Sequence, residues 1–169
     1  MSANPLLRLP TSPYASVFRA IVQTLQADAT LRGAVQPTSW RVWEGTHADK
    51  QPVAITAAPG VRLTPDPGGE QWWSPDSAVG VLTVHVELYV RGTCVDDVSN
   101  LWWAIVRALY PMSQPAKLAI QAKLVAAGAE TGLITFSKGA ADLAADAGAA
   151  GAFFASGRMQ IRVLSNYNA

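Results

Sequence analysis

From Val79 to Arg91 the chain alternates. Leu82, Val84, Val86, Leu88 and Val90 hold one parity, and Thr83, His85, Glu87 and Arg91 hold the other. A period of two with one apolar and one wetter face predicts a half-buried strand of the antiparallel type, since a doubly covered parallel strand would be apolar throughout. A break at Gly92-Thr93-Cys94-Val95 follows, and then the period changes to that of a helix. Over about Asp97–Tyr110, Val98, Leu101, Trp102, Ile105 and Leu109 fall at helical spacing and form a stripe able to fold back on the strand's apolar face. Trp103 and Tyr110 fall on a flank away from the centre of that stripe, so this helix is apolar on more than one side. Pro111 ends it.

The remaining elements attach to this unit. Residues 1–12, with Pro5 and Pro10, read as an extended arm. Ser12-Pro13 is a helix start, and Val17, Phe18, Ile21, Val22 and Leu25 continue a helix to about Gln26, expected across the same sheet face. Asp28 caps a further turn, Ala29–Leu31, which Gly33 should end. Trp40–Glu44 and Pro52–Ala58 read as strands around a polar loop. The stretch 64–78, containing TPDPGGEQWWSPDS, is expected to be an irregular excursion that carries Trp72 and Trp73, docked either on a neighbour or back on its own domain. A third helix is predicted over Pro115–Ala127 with Leu118, Ala122 and Val125 at helical spacing, placed to cover Trp103 and stopped at Gly128. Gly132–Ser137 and the alternation Met159, Ile161, Val163 read as two strands, the second beginning near Phe153 and Phe154. Between them, the Ala/Gly-rich stretch 138–157 is expected to be an insertion, either an extended hairpin arm or a short helix with a flexible flank.

Composition narrows the function. With 169 residues, 50% hydrophobic and only 15% charged, the chain suits one domain that hides surface against other copies or partners. A formal charge of +1 offers no electrostatic footprint for nucleic acid. Cys94 stands alone, and His47 and His85 are far apart, which argues against a disulfide or zinc site and fits folding in a cytoplasm. No apolar run reaches the roughly 20 residues of a membrane span, and the amino terminus lacks a signal-peptide pattern.

Candidate chemistry is sparse. Gly68-Gly69 precedes no Lys-Ser/Thr helix, and Asp96-Asp97 sits where a helix start takes acids. His85 beside Glu87 resembles a base with an orienting carboxylate, but without a nucleophile. Cys94 reads as a turn residue before it reads as a reactive thiol. The expectation is a protein without catalytic, cofactor or metal residues. Low charge with surplus aromatic surface points to assembly. Trp72, Trp73, Trp103, Tyr110, Phe153 and Phe154 are the candidate interface residues, joined by Arg91, Arg158 and Arg162 facing a neighbour or a channel.

In order and hydrophobic pattern the chain resembles the tail terminator proteins (tail completion, head-to-tail joining proteins) of long-tailed bacteriophages. The segments that carry the resemblance are VFRAIVQTLQADATLRGAV, PVAITAAPG, LTVHVELYVRG leading into VDDVSNLWWAIVRALYP, and GRMQIRVLS. It implies an α+β fold, a mainly antiparallel sheet of about four to five strands with two to three helices packed on one face. It also implies a homo-oligomer, a hexameric ring that caps the tail tube protein and meets the head connector or stopper protein. DNA would pass through its lumen without sequence-specific binding, and the ring would be assembled in the host cytoplasm and kept in the virion. Other rings of the neck or tail, a head-completion stopper or a tail tube subunit, share these features. A small ligand-binding or enzymatic domain using His85 and Glu87 is the alternative from a different class.

Overall fold

The computed structural model describes residues 13–42, 59–65, 79–91, 96–143 and 152–164. Its elements in chain order are α1 (Pro13–Ala27), α2 (Ala29–Ala34), β1 (Trp40–Val42), β2 (Gly60–Pro65), β3 (Val79–Arg91), α3 (Asp96–Leu109), α4 (Gln114–Ala126), β4 (Ala129–Leu143) and β5 (Ala152–Leu164). The five strands form one sheet in the order β1-β2-β3-β5-β4. Only β1 and β2 run parallel; the other neighbours are antiparallel. The fold is α+β.

The long strand that the alternation predicts is the sheet's middle strand, β3. It pairs with β5 without interruption from Val79 opposite Leu164 to Arg91 opposite Ala152. Because partners across a ladder share a face, Leu82, Val84, Val86 and Leu88 stand with Ile161, Met159, Gly157 and Ala155. Val61 and Leu63 of β2 join them, and all six of these β2 and β3 residues are buried. The helices cover this face. α1 buries Val17, Phe18, Ile21, Val22 and Leu25, and α3 buries Val98, Leu101, Trp102, Ile105 and Leu109, the stripes that the helical period picks out. Full burial of one such side chain contributes roughly 1.5–3 kcal/mol, so the stripe, more than intrinsic helix propensity, holds α3 in place.

Several details differ from the sequence expectation. A strand occupies Gly60–Pro65, where none was expected; Val61 and Leu63 are its only large apolar pair, too short a pattern to stand out beside Gly60 and Pro65. The expected strand at 52–58 lies outside the described residues. Asp28 does cap α2, accepting from the Leu31 amide at 2.9 Å, but the helix continues through Gly33 to Ala34.

The apolar positions picked out at helical spacing on α4 are not the ones it buries. Leu124 is buried and Ile120 packs against the core, while Leu118 and Val125 are exposed at 54% and 45%. Alanine dilutes the hydrophobic pattern on this helix, so two faces compete, and the sheet takes the one with Ile120 and Leu124. α4 therefore does not cover Trp103, which remains 61% exposed.

The Ala/Gly-rich stretch resolves into strand at both ends. β4 runs to Leu143 and β5 begins at Ala152, and the two pair as an antiparallel hairpin with register shifts between Ala129 and Ile134 and between Lys138 and Ala141. This is the extended-hairpin alternative, but it is not merely an arm. Ala155 is buried in the sheet's centre, and Gly157 lies beneath Trp102 of α3. Small residues there let the helix approach the backbone closely.

Candidate interaction surfaces

Two surfaces concentrate the side chains that the core does not use. The first is the sheet face of opposite parity. It carries Arg62 and Thr64 from β2, Thr83, His85, Glu87 and Tyr89 from β3, Thr135 and Ser137 from β4, and Phe154, Ser156, Arg158 and Gln160 from β5. Several of the polar groups there are paired with one another. Arg62 Nη1 donates to Glu87 Oε2 at 3.3 Å, and the Tyr89 hydroxyl donates to the same oxygen at 3.2 Å. Gln160 Nε2 donates to Thr83 Oγ1 at 3.2 Å, and Arg162 Nε lies 2.8 Å from Glu130 Oε2. The Tyr89 and Phe154 rings are tilted against each other with centroids 5.1 Å apart. Arg62, Thr64, His85, Glu87 and Ser156 line a shallow depression of about 200 Å³.

His85 and Glu87 share a face, as strand parity predicts, and the Glu87 carboxylate is engaged by Arg62 and Tyr89. Among the described residues no three His, Cys, Asp or Glu side chains gather to hold a metal ion. No helix of the described residues is long and apolar enough to cross a membrane.

The second surface is the outer stripe of α3. Its exposed positions are Asp96, Asn100, Trp103, Arg107 and Tyr110, spaced by alternating four and three residues and therefore on one side of the helix. Trp103 and Tyr110 are exposed at 61% and 42%, and Met112 in the turn after the helix at 87%. Tyr110 is held from behind: Lys117 Nζ lies 3.9 Å from its ring centroid and also donates to its hydroxyl. A cation over an aromatic face fixes that ring at small cost. The two-sided apolar character of this helix is legible in its wheel. Arg107, between Trp103 and Tyr110, and Met112 are additions made by the structure.

The other candidate interface residues divide. Phe153 and Phe154 alternate in β5, so Phe153 packs against the core on the helix-covered face and only Phe154 stands on the open one. Phe153 is thus a core residue before it is a contact residue. Arg158 is exposed on the open face opposite His85, and Arg162 pairs with Glu130. Arg91 ends β3, but its side chain lies outside the described residues, as do Trp72 and Trp73. No protein-family model matches the chain, and no curated protein matches it.

Proposed function

We propose that the protein is a virion structural protein of a long-tailed bacteriophage, a tail terminator that caps the tail tube as a hexameric ring and joins it to the head connector. The observation that carries this reading is a one-sided architecture with unspent aromatic surface. Helices cover one sheet face, while Trp103, Tyr110 and Met112 are each left exposed, more apolar surface than a monomer gains by showing. The element order behind the resemblance supports it: a long strand leading directly into an aromatic-rich helix, and a closing strand that pairs with it. A formal charge of +1 suits a channel that lets DNA pass without gripping it. The ring stays in the particle, in contact with tube protein below and connector or stopper above, and carries out no catalysis.

The test is tail length. Tubes polymerised with the purified protein should stop at a defined length and carry a ring at one end in electron micrographs, and particles lacking the protein should bear tubes of unregulated length without joined heads. Tubes of normal length with unjoined heads would move the protein to a head-completion role. Incorporation along the whole tube would make it a tube subunit. Normal joined particles in its absence would remove it from the neck altogether.

A further inference from the structure

We propose that the chain's own amino-terminal arm, residues 1–12, lies as a strap along the outer face of α4, with Leu9 on Val125 and Leu6 on Leu118. The face it covers is the exposed side of that helix. Leu118 and Val125 are seven positions apart and so fall within about 20° of each other on the helical wheel. Pro115, Ala119, Ala122 and Ala126 widen the same side, and all of these residues are exposed and uncharged. Lys123, at the rim of the face, is turned toward α1, where its Nζ donates to Thr24 Oγ1 at 3.0 Å.

Place and length select the occupant. The arm joins the fold at Pro13, and Pro13 adjoins the end of α4: a β-carbon on Gly128 would stand 3.1 Å from Cβ of Pro13. Counted back from Gly128 along the helix, Val125 lies about 4.5 Å away and Leu118 about 15 Å away. The four steps of chain from Leu9 to Pro13 span up to about 13 Å, enough to turn from the start of α1 onto Val125. A second segment leaves the fold beside Gly128, after Leu164, whose amide donates to the Gly128 carbonyl. Its residues, SNYNA, bring no leucine, isoleucine or valine to meet this face.

The spacing within the arm matches the spacing on the helix. Pro5, Pro10 and Pro13 hold the residues before them extended and favour the polyproline conformation, which rises about 3.1 Å per residue with three residues per turn. Leu6 and Leu9 then point to one side about 9 Å apart, close to the roughly 10.5 Å between Leu118 and Val125 along α4. Arg8, between them, points to water. An arm already restricted by three prolines loses little freedom on docking.

Trypsin reads the strap on the full chain, because Arg8 lies between the two anchoring leucines and cleavage there needs the arm off its helix. Leu6→Ser/Leu9→Ser and, separately, Leu118→Ser/Val125→Ser should each raise the rate of cleavage after Arg8 by about tenfold, followed by mass spectrometry. All four changes together should raise it no further. Met112→Ser, at an exposed position off this face, should leave it unchanged, and circular dichroism establishes that each variant is folded. Cross-linking reads the register: Leu9→Cys/Val125→Cys in a Cys94→Ser background should oxidise to a disulfide within one chain, at monomer mass in a non-reducing gel. Arg8 cleaved equally fast in wild type and both double variants, or introduced thiols that do not join, would overturn the proposal. Thiols that join only between chains would overturn it in favour of a neighbouring copy's arm. If the α4 variant does not fold, the arm variant and the cross-link decide. A loose arm with normal tail termination leaves the ring standing, and a closed disulfide with uncapped tubes leaves the strap standing.

Discussion

The indole of Trp102 rests on the α-carbon of Gly157. A β-carbon on that glycine would stand 2.4 Å from both Cη2 and Cζ3 of the ring and 2.9 Å from the Ser137 carbonyl oxygen. Because Trp102 is 5% exposed and hemmed in by the core, the ring cannot simply swing away. Gly157→Ala should therefore destabilise the protein by about 1–3 kcal/mol through overpacking, and Trp102→Ala by about 3–5 kcal/mol through the cavity it leaves. Since both changes act on one contact, the double variant should cost less than the sum. Urea unfolding followed by tryptophan fluorescence measures all three, and a Gly157→Ala protein as stable as wild type would show that α3 docks elsewhere.

Two other glycines should respond in opposite directions to the same substitution. Gly132 has φ +67°, and a β-carbon there would meet the Gln121 backbone oxygen at 2.6 Å, so both conformation and space oppose a side chain. Gly132→Ala should cost about 1–3 kcal/mol. Gly33 lies inside α2 with nothing within 4 Å of an added β-carbon. Gly33→Ala should stabilise by about 0.5–1 kcal/mol, the helical advantage of alanine. Thermal denaturation of the pair should shift the midpoint down for one and up for the other.

The start of α2 depends on one oxygen. Asp28 Oδ1 accepts the Leu31 amide, and Leu31 is wholly buried, so a frayed first turn loosens a core contact. Asp28→Ala should cost about 1 kcal/mol, while Asp28→Asn, which keeps the acceptor, should cost little. Chemical denaturation of both variants checks this, and equal losses would mean that the charge, not the cap, matters.

On the open sheet face, Arg62 and Glu87 pair across β2 and β3 with side chains 19% and 31% exposed. Partial exposure limits such a pair. A double-mutant cycle with Arg62→Ala and Glu87→Ala should give a coupling of at most about 1 kcal/mol, smaller still in concentrated salt. A coupling several times larger would indicate that this face is covered in solution.

Where the apolar period was long and clean, the fold could be read from the residues themselves. β3 and α3 have five or more large apolar side chains at one period each, and both lie close to where the pattern sets them. Short or diluted patterns failed. β2 has only Val61 and Leu63 to declare itself, and α4 mixes alanine with Leu118, Ile120, Leu124 and Val125, so its inward face is decided by the sheet it meets, not by its own wheel. The Ala/Gly-rich stretch misled for a different reason. Small residues read as a lack of core, yet at Ala155 and Gly157 smallness is what the packing of Trp102 demands. Of the candidate surface, Trp103 and Tyr110 were legible as a second apolar flank. The contact of Lys117 with Tyr110 needed three dimensions, since it depends on how the helix is rolled and where the next one starts.

The strand order also sets a timetable for synthesis. β3 is flanked in the sheet by β2 and β5, and β5 leaves the ribosome only after α3, α4 and β4 have been made. For all that interval a valine-rich strand of 13 residues has one row of amide and carbonyl groups without its native neighbour, a template for mispairing with another nascent chain. Chains growing side by side on one message therefore meet this hazard at the same stage, and slowing translation before β5 should raise the fraction lost to inclusion bodies.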